Sequence, residues 1–402
     1  MQQQNNIFRS FWMAGFECTD KLNVSGNRVD FLKLTGHLDY LEKDYKNLQR
    51  FGIYTVREGV RWSQVEKKPY QYNWTIVEKM IAAAEKYNIQ QVWDLCHFGY
   101  PDDLTPLHPL FAQRFACFAK AFVKYYRSLK PFGELIIVPI NEVSFISWLG
   151  GEVGATTPYT KGYGWQVKYN LMKAYIKAIE AMKHEDASIS IVTSEPLINT
   201  VPPFDATLEQ IAEAALKNEH QFQATDILAG RTCPELGGKE DYVDIIGLNY
   251  YGHNQWVYNS SEFLDWRTAI HDERFQPLHV LIRKVFDRYK KPVAITETSH
   301  PGKDRPAWFE MIERECIKTL QRNIPLKGIC IYPIIDRQDW DDLTTWHHSG
   351  LWDIDIHASQ LQRFLYQPMA DAVLKAQKNV NKYLSSASDF SPHPKSTTLV
   401  VS

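Results

Sequence analysis

Eight short apolar runs, each followed by a stretch of helical periodicity, constrain this chain more than any other feature. The runs are FWMAGFE (11–17), IYTVR (53–57), QQVWDL (90–95), ELIIVPIN (134–141), SISIVTS (188–194), DIIGLNY (244–250), PVAIT (292–296) and GICIYPI (328–334). Their lengths and bounding turn-formers suit buried strands. The segments between them carry the other period. Trp74, Val77, Met80, Ile81, Ala84 and Tyr87 keep i, i+3, i+4 spacing over about 73–88, as do Met172, Tyr175, Ile176, Ile179 and Met182 over about 165–183. Further helices are expected in HLDYLEKDYKNLQRFG and over about 109–129, 207–229, 274–290, 305–323 and 360–383. Alternation without consecutive hairpins implies a parallel sheet. Eight such units close most economically into a (β/α)8 TIM barrel, an α/β fold. A doubly wound open sheet is the runner-up, but no GxGxxG or GxxxxGK[ST] fingerprint follows any strand.

No interdomain linker or internal repeat interrupts the pattern, so one catalytic domain is expected over 1–384. The Ser/Pro/Thr-rich stretch 385–402 reads as a flexible C-terminal tail. The 402 residues carry a net charge of −2 without a basic stripe, which argues against nucleic acid or an anionic membrane as partner. No run approaches the roughly 18 apolar residues of a membrane span. The start, MQQQNNIFRSFWMAGFE, lacks a basic and then long apolar leader. Six scattered cysteines without a CxxC pair read as reduced thiols, and together these features lead to the expectation of a cytoplasmic protein. The 12 Trp, 21 Tyr and 20 Phe fit a large core and a sugar-binding cleft equally well.

Barrel enzymes place their chemistry at the C-terminal ends of the strands. Those ends here carry Glu17, Arg57, His97, Asn141 with Glu142, Glu195, Asn249 with Tyr251, Glu297, and Asp336 with Asp339. Two glutamates stand out: Glu142 closes IIVPINE and Glu297 closes PVAITE. A carboxylate ending a buried strand is costly unless chemistry or an ion pair requires it. Either alone could be a strand cap or the partner of an arginine. A converging pair is the usual machinery for cleaving glycosidic bonds.

At these residues the chain resembles glycoside hydrolase family 1, over about Phe11 to Asp355. REGVRWSQV resembles the arginine-led segment of strand two and puts Arg57 in its place, and LCHFGYP gives His97. The Asn-Glu pair of strand four falls on Asn141 and Glu142, GLNYYG places Asn249 and Tyr251, and the Thr-Glu pair of strand seven falls on Thr296 and Glu297. YPIIDRQDW keeps the strand-eight spacing of Asp336, Asp339 and Trp340, with Tyr332 where the family has tryptophan. Other departures are Val143 for the usual proline, Thr298-Ser299 for Asn-Gly, Asp339 for a longer glutamate, and Glu17 where a glutamine segment is expected. The resemblance implies a retaining β-glycosidase with Glu297 as nucleophile, Glu142 as acid–base, and Arg57 and Tyr251 holding Glu297. It also implies Asn141 on the 2-hydroxyl, His97 on its neighbour, and no cofactor. Its expected partner is a carbohydrate substrate.

The departures fall mostly on the glycone pocket, so a sugar other than plain glucose is expected there. Trp340 and Trp148 are candidate stacking platforms, although core tryptophans would look the same. DDLTTWHHSG lacks the lysine that phosphate-preferring relatives use, so the resemblance does not imply a sugar 6-phosphate. Two alternatives keep the same residues: a transglycosidase and a silent sugar-binding barrel. A metal-dependent hydrolase fits poorly, because the adjacent His347 and His348 would not face one ion and no HxH follows strand one.

Overall fold

The computed structural model describes residues 6–268, 271–355 and 361–389. Its barrel strands are Trp12–Gly15, Thr55–Gly59, Gln90–Cys96, Ile136–Ile140, a fifth in two pieces, Ile246–Asn249, Val293–Thr298 and Leu326–Ile331. All of their pairings are parallel, and strand eight pairs with strand one. The fifth strand explains the closure. Its first piece, Ser190–Ile191, pairs with strand four, and its second, Glu195–Pro196, pairs with strand six. Val192 and Thr193 hand the ladder over: Val192 N–H donates to Ile137 O at 3.0 Å and Thr193 N–H to Ile245 O at 3.1 Å. The expected closed barrel of eight parallel strands is the fold.

Period-two alternation divides each strand between two cores. Met13, Val92, Ile136, Val138, Ala294 and Cys330 cluster inside the barrel, while Trp12, Trp93, Ile137 and Ile295 join the larger core under the helices. Continuing the interior parity upward gives Asp94 above Val92 and Thr296 above Ala294. A polar layer therefore sits on an apolar plug. Glu297 is out of that parity, and a register shift between Ile295 and Glu297 in the pairing with strand six accompanies its turn inward.

The helices follow the expected stripes, with Thr75–Lys86, Phe111–Leu129, Gly164–Glu185, Leu278–Tyr289 and Arg305–Gln321 as the long barrel helices. The expected helix over 207–229 is two helices, Leu208–His220 and Gln223–Leu228. The helix expected over 360–383 starts later, because Gln362–Leu365 is a strand paired antiparallel with Trp352–Asp355. The helix itself, Gln367–Asp389, passes the tail boundary expected at 385, and residues 390–402 lie outside the described residues. The aromatic content divides: Trp62, Trp93 and Trp308 are fully buried, whereas Trp148, Tyr163 and Trp165 are exposed. No helix among the described residues is long and apolar enough to cross a membrane.

Candidate active site

Arg57 is the centre of the polar layer. It is 1% exposed and donates from Nη1 to Glu297 Oε1 (2.9 Å) and Thr296 O (2.8 Å). Its Nη2 donates to Asp94 Oδ2 (2.6 Å) and Asn141 Oδ1 (3.2 Å). One buried guanidinium thus fixes residues from strands three, four and seven, which suits its rigid planar fork. Tyr251 Oη donates to the second oxygen of Glu297 at 2.8 Å, so both carboxylate oxygens of Glu297 are held.

Glu142 sits differently. Its backbone is left-handed, φ 47° and ψ 57°, a strained conformation for a residue with a side chain. Neighbours hold the strain: Glu142 N–H donates to Ser194 O (2.7 Å), and Glu195 accepts the next two amides, Val143 (2.6 Å) and Ser144 (3.1 Å). Asn249 Nδ2 donates to Glu142 Oε1 at 2.9 Å, while Asn249 Oδ1 accepts from Thr296 (2.7 Å) and Ser194 (3.0 Å). Burial pushes the Glu142 carboxyl well above the usual range, and the charge of Glu297 pushes it further. Asn249 and Arg57 oppose this without overcoming it.

His97 links the remaining members. Its Nδ1 lies 3.1 Å from Asp94 Oδ2 and its Nε2 3.2 Å from Asn141 Nδ2. Arg57 occupies the Asn141 oxygen, so Asn141 turns its N–H₂ to His97, whose Nε2 must accept. The proton then sits on Nδ1, facing Asp94. Burial lowers the affinity of His97 for a second proton, but Asp94, Glu297 and Glu17 outweigh it and raise the pKa. Protonation would cost the Asn141 contact. Burial likewise raises the Asp94 carboxyl, and Arg57 and His97 overturn this to hold it below the usual range.

The structure brings Arg57, His97, Asn141, Glu142, Asn249, Tyr251 and Glu297 into one network. Tyr332 lies behind it, 2% exposed, stacked on His97 at 5.6 Å and under Arg57 at 5.1 Å. A Cβ at Gly15 would fall 2.0 Å from the Tyr332 ring, so the ring fills the space that glycine leaves instead of lining an open wall. Glu17 reaches within 3.9 Å of His97 but is paired with Arg337 (3.1 Å) and Thr19. Trp340 packs on Phe98 beside His97. Trp148, 52% exposed, stands on the outer rim against Phe145. Asp339 is not brought to the pair: it accepts the amides of Asp341 and Asp342 in its own loop and contacts His347 at 3.1 Å.

Sequence reasoning passed over Asp94, Ser194 and the structural role of Glu195. Asp94 was detectable as a lone charge inside an otherwise apolar strand. Among the described residues two groups gather three metal-type donors, Cys18 with Asp94 and His97, and Asp336 with His348 and Asp353. Each already contains an acid committed to an arginine, Asp94 to Arg57 and Asp353 to Arg305.

No protein-family model matches the sequence, and no curated protein matches it. Solved structures do. A family 1 β-glucosidase from Thermotoga maritima superposes with TM-score 0.69 at 14% identity, covering 93% of this chain and 97% of that one. The same organism's β-glucosidase in complex with glucoimidazole gives 0.67 at 16%, covering 87% of each chain. Its complex with isofagomine lactam gives 0.66 at 16%, covering 85% of this chain and 87% of that one. The chain therefore has the barrel fold of the family 1 β-glucosidases.

Proposed function

We propose that this protein is a retaining β-glycosidase acting by double displacement. The observation that carries the reading is the unequal treatment of two neighbouring glutamates. Glu297 has both oxygens held by a guanidinium and a phenol, whereas burial and the neighbouring Glu297 push the Glu142 carboxyl well above the usual range, which suits a proton donor. Glu297 attacks the anomeric carbon while Glu142 delivers its proton to the leaving oxygen. Once Glu297 is esterified its charge is gone, and with it one cause of the raised Glu142 pKa. Glu142, left as a carboxylate by the first step, is therefore no longer opposed by that charge and takes a proton from the attacking water, whose oxygen displaces Glu297 from the sugar.

The strained turn at Glu142 aims the acid, and Glu195 keeps that turn in place. Asn141 sits between Arg57 and His97, where its amide can turn to the sugar's 2-hydroxyl. Trp340 and Trp148 offer aromatic faces for the sugar and the aglycone. The sugar is carried over only as a class, since the β-glucosidases of the two solved complexes share 16% identity with this chain.

The test is a panel of aryl β-glycosides with good and poor leaving groups. Glu142→Ala should slow the poor ones far more than the good ones, since only they need protonation. Glu297→Ala should stop turnover, and added azide should restore part of it as the inverted glycosyl azide. Equal losses on all leaving groups in Glu142→Ala would remove Glu142 from the acid role.

A further inference from the structure

The loop after the first strand carries a lysine that this mechanism does not use. Lys21 is 1% exposed, yet its ammonium has no hydrogen bond and no ion pair among the described residues. It lies over the Trp340 ring, 5.1 Å from the centroid. The carboxylates around it are engaged elsewhere. Glu17 is taken by Arg337 and Thr19, and Asp339 by two loop amides and His347. Asp341 accepts the Val24 amide at 2.9 Å. Burial holds the Lys21 amine below the usual lysine range, and Asp341, Asp339 and Glu17 offset this only in part.

The Lys21 stem is buried and its ammonium rests on the Trp340 ring without a hydrogen bond or ion pair among the described residues, so an incoming anion would give it the charged partner it lacks. The position is beside the candidate active site. Trp340 connects Lys21 through Phe98 to His97, and Glu17 lies in the field of both Lys21 and His97. Arg337 approaches the same Trp340 ring, at 5.2 Å, so two cations flank one stacking surface.

We propose that Lys21 binds an anionic substituent on the glycone, making the substrate a β-glycoside of an acidic sugar. That the bound sugar is a substrate rests on the glycosidase reading; the anion site itself does not. A hexuronic-acid carboxylate matches the single free charge of Lys21. A sugar phosphate ester offers the same chemistry and is the other source to be separated.

Binding of free sugars decides the matter without turnover. Calorimetric affinities would be measured for a hexose, its hexuronate and its 6-phosphate, with wild type, Lys21→Gln and Lys21→Arg, alongside aryl β-glycoside hydrolysis. Wild type should prefer at least one acid over the neutral hexose by tenfold or more. Lys21→Gln should lower that acid-to-neutral ratio by about ten- to hundredfold, the size of a lost hydrogen bond to a charged group. Lys21→Arg should keep most of it. A better hexuronate names a carboxylate, and a better 6-phosphate names a phosphate ester; either supports the site. A neutral hexose that binds as well as both acids, or a ratio unmoved in Lys21→Gln, overturns the proposal. Efficient hydrolysis with an unmoved ratio would sink this inference alone. Lys21-dependent acid binding with no glycoside ever cleaved would sink the catalytic reading alone.

Discussion

Replacing Glu297 with glutamine isolates what the charge of one carboxylate does to the other. The substitution is nearly isosteric. The new amide oxygen can still accept from Arg57 Nη1, which donates to Glu297 at 2.9 Å, and its N–H₂ can donate to Tyr251 Oη, which lies 2.8 Å from the second carboxylate oxygen. Burial of Glu142 is unchanged, so only the charge is removed. Carboxyls in retaining enzymes lie about 5–5.5 Å apart. At about 5 Å and an effective dielectric of about 20, two unit charges interact by roughly 3 kcal/mol. That corresponds to about a hundredfold change in proton affinity. Arg57 also becomes less neutralised by its partners, which acts in the same direction. The midpoint of the Glu142 titration should therefore lie about two pH units lower in Glu297→Gln than in wild type. Carbon-13 NMR of labelled glutamate side chains reads this directly, with Glu142→Gln assigning the resonance. A midpoint that moves upward, or one that stays where it was, would refute the claim that the two carboxyls share one electrostatic site.

The same raised acid affects stability. Glu142 has a folded-state pKa above its unfolded value, so its contribution is fully present below the unfolded pKa and is lost as pH rises through the folded pKa. Across that window Glu142→Gln should gain unfolding free energy relative to wild type, by up to about 1.4 kcal/mol for each pH unit climbed, and a constant difference across pH would contradict this. Arg57→Met strips the donor from Glu297, Asp94, Asn141 and the Thr296 carbonyl together. Unfolding in denaturant should show a loss of about 3–5 kcal/mol, and a loss below about 1 kcal/mol would show that the network is not structural. Glu195→Ala releases the two amides that hold the Glu142 turn. It should lower kcat on poor leaving groups by about tenfold or more while sparing activated ones, and equal losses on both would count against a positioning role.

The eight strand–helix units were legible because two periodicities, two and about 3.6, alternate cleanly along the chain. The break in the fifth strand was not. Nothing in SISIVTS marks the point where pairing passes from strand four to strand six, because that choice depends on barrel closure. The split of the 207–229 helix near Gln221 was likewise hidden, since the polar pattern continues through it. At the site, residues at strand ends were found, and Arg57, Asn141, Glu142, Asn249, Tyr251 and Glu297 meet as their positions suggested. Asp94 was missed because it lies three residues before the strand-three histidine, inside a run read only for its apolar character. Tyr332 was legible only as standing where the family has tryptophan, and that its ring fills the space left by Gly15 was not. Glycine on one strand and tyrosine on another compensate each other only in three dimensions. Lys21 gave no signal at all: a single lysine in a loop becomes informative only once its burial, and the absence of a hydrogen bond or ion pair to it among the described residues, are known.

The central claim is that Glu297 forms a covalent bond to the sugar and that configuration is retained. A 2-fluoro β-glycoside with a good leaving group, chosen from the sugar class the protein cleaves, should inactivate it with one equivalent of sugar bound. Peptide mapping should place that label on Glu297, and proton NMR of the wild-type reaction on an unmodified substrate should show the β-anomer forming first. A label on any other residue, or the α-anomer as first product, would contradict the account.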